Sequence, residues 1–234
     1  MGHSLEIERF LKLKKQELGT EQDDAIVKLE LCTQSIHRWL KYCEYHYANL
    51  EDAVKEPNLS LDRMSVYQRA GENVPVRYVY EANIAAFLNS LHALLDSFPY
   101  LLNIFIPVTE TTESTSIKWH EIFIKKYENM DFYDELSDFL MDRTFHKVKG
   151  YVNTIKHKHL IRISNQRDHL EFEEYSYKEP HRDEQGKIQF VPNTVAGENV
   201  MPFIEACHDV LIPKFFNLCD SVLRFKSSQL THDL

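Results

Sequence analysis

The spacing of apolar residues along the chain predicts long helices. Between residues 21 and 54, apolar side chains recur at steps of three and four, which is the period of one face of an α-helix. The members of this stripe are Ile26, Leu29, Cys32, Ile36, Trp39, Cys43, Tyr47 and Leu50. A second long helix is predicted over 77–98, and it should stop near Pro99 because proline cannot continue a helix.

Three shorter helical patterns follow in the middle of the chain. They cover about 116–129, 131–142 and 143–160, and Asp131 is a suitable N-cap for the second of them. Helical spacing returns from Val200 to Phe225, where Pro213 should kink the helix. The patterns therefore indicate a helical bundle rather than a sheet protein.

Two segments depart from the helical period. Residues 57–76 have prolines near both ends and are predicted to form a long loop. Within about 160–192, apolar and polar residues alternate and β-branched and aromatic residues are frequent, which favours an antiparallel hairpin or a small three-stranded sheet. The predicted fold is mainly α: a single helical-bundle domain over residues 1–234 with a small antiparallel β-insertion before the last helix.

Composition places the chain among soluble globular proteins, with 43% hydrophobic and 27% charged residues. The longest apolar run, Phe98 to Val108, is too short to cross a bilayer, and the N-terminus does not resemble a signal peptide, so a cytoplasmic protein without a membrane anchor is expected. The four cysteines are Cys32, Cys43, Cys207 and Cys219, and none lies in a CxxC pair. Reduced, buried thiols are predicted, with no metal and no other cofactor.

The net charge of −9 would repel nucleic acid, so any such contact requires a local basic patch. One segment fits that description: residues 143–167 contain seven Lys or Arg, three His and no acidic residue. On a helix, an apolar stripe would face the core, formed by Val148, Val152, Ile155 and His159. An adjacent polar stripe would contain His146, Lys149, Asn153, Lys156 and His157. A solvated basic face is the alternative interpretation of the same pattern.

The 77–98 helix carries polar residues although it is apolar almost all round. Asn89, His92 and Asp96 are three and four residues apart, so they share one edge of the helix. Buried polar groups need partners, and the basic helix is the natural partner for Asp96. A carboxylate bonded to one nitrogen of His157 would fix its tautomer. Alternatively, the contact serves only to set the register of two helices.

Two stretches of this chain resemble a known superfamily. "YVNTIKHKHLI", together with "LNSLHALLDSFPYLLN" on the earlier helix, is similar to the HEPN (higher eukaryote and prokaryote nucleotide-binding) helical bundles. On this resemblance the chain would be a divergent bacterial member of the superfamily. In that superfamily an arginine is followed a few residues later by a histidine on a late helix. Matching His157 to the motif histidine places Asn153 on the motif's second polar residue and Val152 where the arginine is expected.

The resemblance implies an RNA- or nucleotide-binding protein that could act as a metal-independent ribonuclease of a toxin or defence system, as a homodimer. RNA cleavage without a metal needs an acid or base, a charge stabiliser and a positioning donor. His157, Lys156 and Asn153 would take these roles in that order. Asp96 would orient His157, and His92 would be a second acid or base. The residues expected to hold backbone phosphates are Lys149, Lys158 and Arg162.

A non-enzymatic protein is the competing hypothesis. With Val152 in the arginine position, the chain would be a catalytically inactive bundle that binds a nucleotide or a partner protein, such as the other member of a toxin–antitoxin pair. The acidic surface suits a partner with a basic face. A structural dimer without a ligand is the third interpretation.

Overall fold

The structure is a computed structural model that describes residues 6–19, 23–55, 66–69, 71–112, 114–166 and 168–232. The described part of the chain is mainly helical, with small antiparallel hairpins before the last helix, as the sequence predicts. The elements of the first half are α1 (Ile7–Leu18), α2 (Asp24–Lys55), β1 (Val66–Arg69), β2 (Glu72–Pro75), α3 (Val76–Asp96) and α4 (Phe98–Phe105). Among all the residues that the structure describes, no helix is both long and apolar enough to cross a membrane.

The second half of the chain begins with short helices and continues into two hairpins. Its elements are α5 (Glu121–Ile124), a 3₁₀ turn (Lys125–Tyr127), α6 (Tyr133–Leu140), α7 (Arg143–His157), β3 (Ile163–Asn165), β4 (Leu170–Phe172), β5 (Tyr175–Arg182), β6 (Ile188–Val195), α8 (Val200–Ala206), a π-helical stretch (Cys207–Leu211) and α9 (Ile212–His232). Each sheet is a two-stranded antiparallel hairpin: β1 with β2, β3 with β4, and β5 with β6.

The chain divides into two compact units built from separate segments. The first unit comprises Met1–Trp39, Ala93–Asp142 and Ile212–Leu234. The second unit comprises Leu40–His92 and Arg143–Leu211. The single-domain organisation expected from the sequence stays a prediction.

Aromatic packing and one buried ion cluster hold the first unit together. The Phe98 ring stacks on Trp119 with centroids 5.6 Å apart, and the Trp119 indole N–H donates to the Leu95 carbonyl at 2.7 Å. On α1, the Glu17 carboxylate lies between the ammonium groups of Lys14 at 2.9 Å and of Lys226 at 2.6 Å. The carboxylate therefore compensates two buried cations from α1 and α9.

In the second unit, α7 packs closely on β5. At Gly150, a Cβ atom would lie 2.8 Å from the Ser176 carbonyl oxygen and 2.9 Å from the Tyr177 Cα, so there is no room for a side chain. Behind this contact, Tyr151 packs edge to face on Phe172 and Tyr175, with centroids 5.6 and 5.7 Å away. The core of this unit is thus an aromatic cluster between a helix and two hairpins.

Several predicted boundaries need correction. The β-insertion is two separate hairpins and extends to Val195, three residues beyond the predicted end. The predicted loop over 57–76 contains the β1–β2 hairpin, although 56–65 lie outside the described residues. Asp131 is not the N-cap of α6, which begins at Tyr133 with Phe132 in the capping position. The predicted 116–129 helix is much shorter, since only α5 and the 3₁₀ turn form there.

Candidate functional site

The candidate site is built on α7, which begins and ends close to the predicted bounds. Val148 and Val152 are fully buried, so the apolar stripe faces the core as predicted, whereas Ile155 is only partly covered. The helix ends at His157: the Lys158 N–H still makes a helical bond to the Thr154 carbonyl, but the His159 N–H bonds that same carbonyl instead of the next one. The expected burial of His159 is therefore wrong: it lies beyond the helix and is exposed.

His146 does not belong to the exposed polar stripe. Its side chain is buried, and its ring lies 5.1 Å from Phe145 and 5.3 Å from Phe190 of β6, measured between centroids. The prediction for this residue was wrong because the hairpin β5–β6 covers the first half of α7. His146 is a packing residue and is not accessible to a macromolecular ligand.

Three cations of residues 143–167 form ion pairs with glutamates from residues 173–198, the part of the chain that contains the β5–β6 hairpin. The Arg143 guanidinium lies 3.0 Å from Glu179, the Lys147 ammonium pairs with Glu198, and the Arg162 guanidinium lies 3.0 Å from Glu173. Such paired cations offer less to a phosphate, since a ligand would have to displace a glutamate. The Arg162–Glu173 pair is exposed and therefore weak, so it reduces the phosphate-binding role expected of Arg162 without removing it.

The Arg143–Glu179 pair belongs to a wider polar network. The Tyr177 hydroxyl accepts from Arg143 at 3.0 Å and donates to Glu179 at 3.2 Å. The Asn193 amide donates to both Tyr177 and Glu179. Hydrogen bonding from Asn193 and Tyr177, with the nearby Arg143 guanidinium, lowers the pKa of Glu179 despite some desolvation. This network fixes the start of α7 on the hairpin.

The end of α7 has a different character. We call Lys156, His157, Lys158 and His159 the basic turn; all four side chains are exposed. None of the four forms an ion pair or a hydrogen bond through its side chain within the part of the chain that the structure describes. Asn153, one turn earlier, is exposed on the same side of the helix. Cations at this position also complement the negative end of the helix dipole.

Lys149 stands apart from the basic turn. Its side chain is half-buried, and its ammonium lies 6.0 Å from the centroid of the Phe145 ring. An ammonium over an aromatic ring is stabilised where it lies. Lys149 is therefore a weaker candidate for phosphate contact than Lys156 and Lys158.

The polar residues of α3 do not form the expected catalytic support. Asp96 is exposed to solvent, so the prediction that it is buried and needs a partner was wrong. Asn89 satisfies its amide locally by donating to the Ala85 carbonyl at 2.8 Å. His92 is buried. The argument for pairing Asp96 with His157 required a buried carboxylate, so it no longer stands.

The side chain at position 152 bears on whether this protein can cleave RNA. Successive helix residues are turned by about 100°, so Val152 and His157 point about 140° apart, whereas Asn153 and His157 are only about 40° apart. Val152 is fully buried. A side chain at position 152 therefore faces the core and not the side of the helix on which His157 lies.

One accessible pair in the second unit was not singled out from the sequence. Arg77 and Tyr78 lie in the first turn of α3, and both side chains are exposed. The Arg77 guanidinium carbon lies 5.0 Å from the centroid of the Tyr78 ring. The sequence shows the two residues side by side, but their exposure depends on how α3 is packed. An exposed Arg–Tyr pair is a surface on which a planar group can stack.

The fold and site together define a mainly helical protein with antiparallel hairpins and an exposed basic turn. No known protein family, curated protein or solved structure matches this chain significantly. The HEPN resemblance therefore rests on the sequence motifs alone, and function is argued from the geometry of the site.

Proposed function

We propose that the second unit binds phosphate groups of RNA or of a nucleotide through the basic turn, and that it does so without cleaving them. The observation that carries the proposal is the contrast within one basic segment. Arg143, Lys147 and Arg162 are neutralised by glutamates, whereas both lysines and both histidines of the basic turn are exposed and unpaired among the described residues. Exposed cations concentrated in one turn favour an anionic ligand.

The chemistry of the basic turn suits binding better than cleavage. Two lysine ammoniums attract phosphate as point charges, and the imidazoles and the Asn153 amide add hydrogen-bond donors beside them. A planar guanidinium that could clamp the phosphate in the transition state is missing at position 152, where Val152 is buried. Dimeric assembly and a place in a toxin or defence system remain part of the proposal only through the HEPN resemblance.

The test is RNA binding by the double variant Lys156→Glu/Lys158→Glu. With labelled RNA at low salt and no divalent metal, we expect the affinity to fall by roughly tenfold or more. The slope of the logarithm of affinity against the logarithm of salt concentration should become shallower by about 2, one for each lost lysine contact. Fluorescence anisotropy over a salt series measures both quantities.

The matched control is Lys118→Glu/Lys125→Glu in the first unit. Both lysines are exposed, and the substitutions change the net charge of the chain by the same amount. If both double variants lose affinity equally, net charge rather than the basic turn governs binding. Undetectable RNA affinity of the unmodified protein at low salt would reject the proposal and leave the solvated-face interpretation.

A second candidate function, an inactive bundle that binds a partner protein or a second copy, is favoured by one observation in the first unit. Val27 and Leu31 lie one turn apart on α2, and their exposed fractions are 53% and 61%. Exposed aliphatic pairs of this kind occur in protein–protein contacts. If they hold a homodimer, Leu31→Lys should convert it to a monomer in light scattering coupled to size exclusion. A monomer before the substitution excludes the homodimer.

A further inference from the structure

A stacking platform lies on the second unit, at the start of α3. The Tyr78 side chain is 48% exposed, and the Arg77 side chain next to it is exposed as well. The Arg77 Nη2 donates to the Tyr78 hydroxyl at 3.3 Å, and the guanidinium lies over the ring. We call Arg77 and Tyr78 the stacking platform. The hydrogen bond holds the cation and the ring together, so the platform is already formed before a ligand arrives.

Next to the stacking platform, α3 contacts the chain segment that follows the basic turn. Glu81 lies one turn after the stacking platform, four residues from Arg77 and three from Tyr78, so it is a neighbour of both on the surface of α3. The Glu81 carboxylate accepts from the backbone N–H of Ile163 at 3.4 Å.

The separation of the two features suits an oligonucleotide. Ile163 follows Lys158 by five positions, and a chain of that length spans at most about 17 Å when fully extended. The stacking platform is one helical turn, about 5 Å, from the Glu81 contact. These lengths are upper limits on the separation of the two features, and a nucleic acid a few nucleotides long spans that range whereas a single phosphate ion does not.

On the basis of the function proposed above, we infer that the ligand is a single-stranded nucleic acid, one of whose unpaired bases stacks on Arg77 and Tyr78 while Lys156 and Lys158 hold its backbone phosphates. Proteins that bind single strands combine a basic track with aromatic side chains, because every unpaired base has a face that can stack. A duplex hides these faces, so it would use the basic turn alone.

The experiment measures the affinity of four labelled probes for the full chain: single-stranded RNA and DNA of about ten nucleotides, the corresponding duplex, and inorganic polyphosphate. Tyr78→Ala is expected to weaken binding of the single strands about tenfold and to leave duplex and polyphosphate within about twofold. Tyr78→Phe keeps the aromatic face but loses the hydroxyl that accepts from Arg77, so its single-strand affinity should fall less than that of Tyr78→Ala. Tyr45→Ala, which removes another exposed tyrosine of the second unit, is the control and should change no affinity.

The outcomes separate this inference from the proposed function. Unchanged single-strand affinity in Tyr78→Ala, with the loss in Lys156→Glu/Lys158→Glu retained, rejects stacking and leaves phosphate binding in place. A loss that is equal for duplex and single strand also rejects stacking. No binding of any probe by the unmodified protein rejects both. Circular dichroism checks the fold. Tyr78→Leu keeps an apolar side chain larger than alanine but lacks an aromatic face, so it should reproduce the loss seen with alanine. Comparing RNA with DNA tells whether the sugar contributes.

Discussion

At the residue scale, Gly150 has the tightest structural requirement on α7. Glycine in the middle of a helix normally costs about 1 kcal/mol relative to alanine. Here the backbone of β5 approaches the helix so closely that a Cβ would lie 2.8 Å from the Ser176 carbonyl oxygen. The atoms in the way are largely backbone, which cannot rotate aside. Replacing a helical glycine by alanine normally stabilises a protein, but at position 150 we expect the replacement to destabilise it.

We predict that Gly150→Ala lowers the free energy of unfolding by about 1–3 kcal/mol, because the helix and hairpin must separate to admit the methyl group. Thermal or denaturant unfolding followed by circular dichroism measures the change. Asn153→Ala, an exposed substitution on the same helix, should be nearly neutral. Equal or greater stability of Gly150→Ala would show that α7 and β5 are not in this close contact.

The site residues show which part of the chemistry a sequence can reveal. Lys156 and His157 were placed on a polar stripe by helical periodicity, and both are exposed. Burial of His146 and exposure of Asp96 did not follow from periodicity, since both depend on which neighbouring element covers that position. A residue on the edge of an apolar helix is buried only if another element lies over it, and spacing alone contains no such information.

At the element scale, α1 is attached to α9 through the Glu17 carboxylate. Burial alone would raise the pKa of Glu17, but hydrogen bonds and charge from Lys226 and Lys14 lower it overall. A lowered folded-state pKa means that the ionised carboxylate stabilises the fold. This contribution is present above the ordinary carboxyl pKa and is lost as the pH falls through the folded-state value.

We predict that Glu17→Gln destabilises the protein by about 2–4 kcal/mol near pH 7, since two buried ammoniums lose their counter-charge. The difference in Tm between the variant and the unmodified protein should shrink as the pH falls from about 7 toward about 3. Calorimetry across this range measures it. Glu8→Gln, exposed on the same helix, serves as the control. A difference in Tm that does not depend on pH would contradict the ionised role of Glu17.

Elements with strong periodicity were predictable, and elements defined by tertiary contact were not. The bounds of α2, α3 and α7 follow the apolar stripes to within three residues. The β1–β2 hairpin lies where proline and glycine indicated a loop, because turn residues mark a reversal of the chain but not whether its arms pair. The division of the insertion into two hairpins likewise depends on contacts with α7 and α8 that a local pattern does not contain.

At the scale of the whole molecule, the cysteines report on burial in both units. Cys32, Cys43, Cys207 and Cys219 are free and buried, so the predicted burial is confirmed. Desolvation raises the pKa of the Cys32 thiol to about 12, which removes the reactive thiolate at neutral pH. Reactivity should therefore depend on opening of the structure.

We predict that a thiol reagent such as Ellman's reagent modifies none of the four cysteines rapidly in the native protein at neutral pH, and all four in concentrated denaturant. The rate in the native state should follow the opening equilibrium rather than the reagent's intrinsic rate. Absorbance at matched reagent concentrations gives both values. Rapid modification of one thiol in the native protein would show that this cysteine is accessible and would contradict its burial.

The ion pairs between α7 and the glutamates of residues 173–198 have a consequence during synthesis of the chain, because the cations are made before the glutamates. Glu198 follows Lys147 by 51 positions, and Tyr177 follows Arg143 by 34. At about 5–20 residues per second, a ribosome produces Lys147 roughly 3–10 s before the glutamate that neutralises it. During that interval the nascent segment lacks the glutamate that compensates the charge of Lys147 in the folded protein, and the contacts of α7 with β5 cannot yet form.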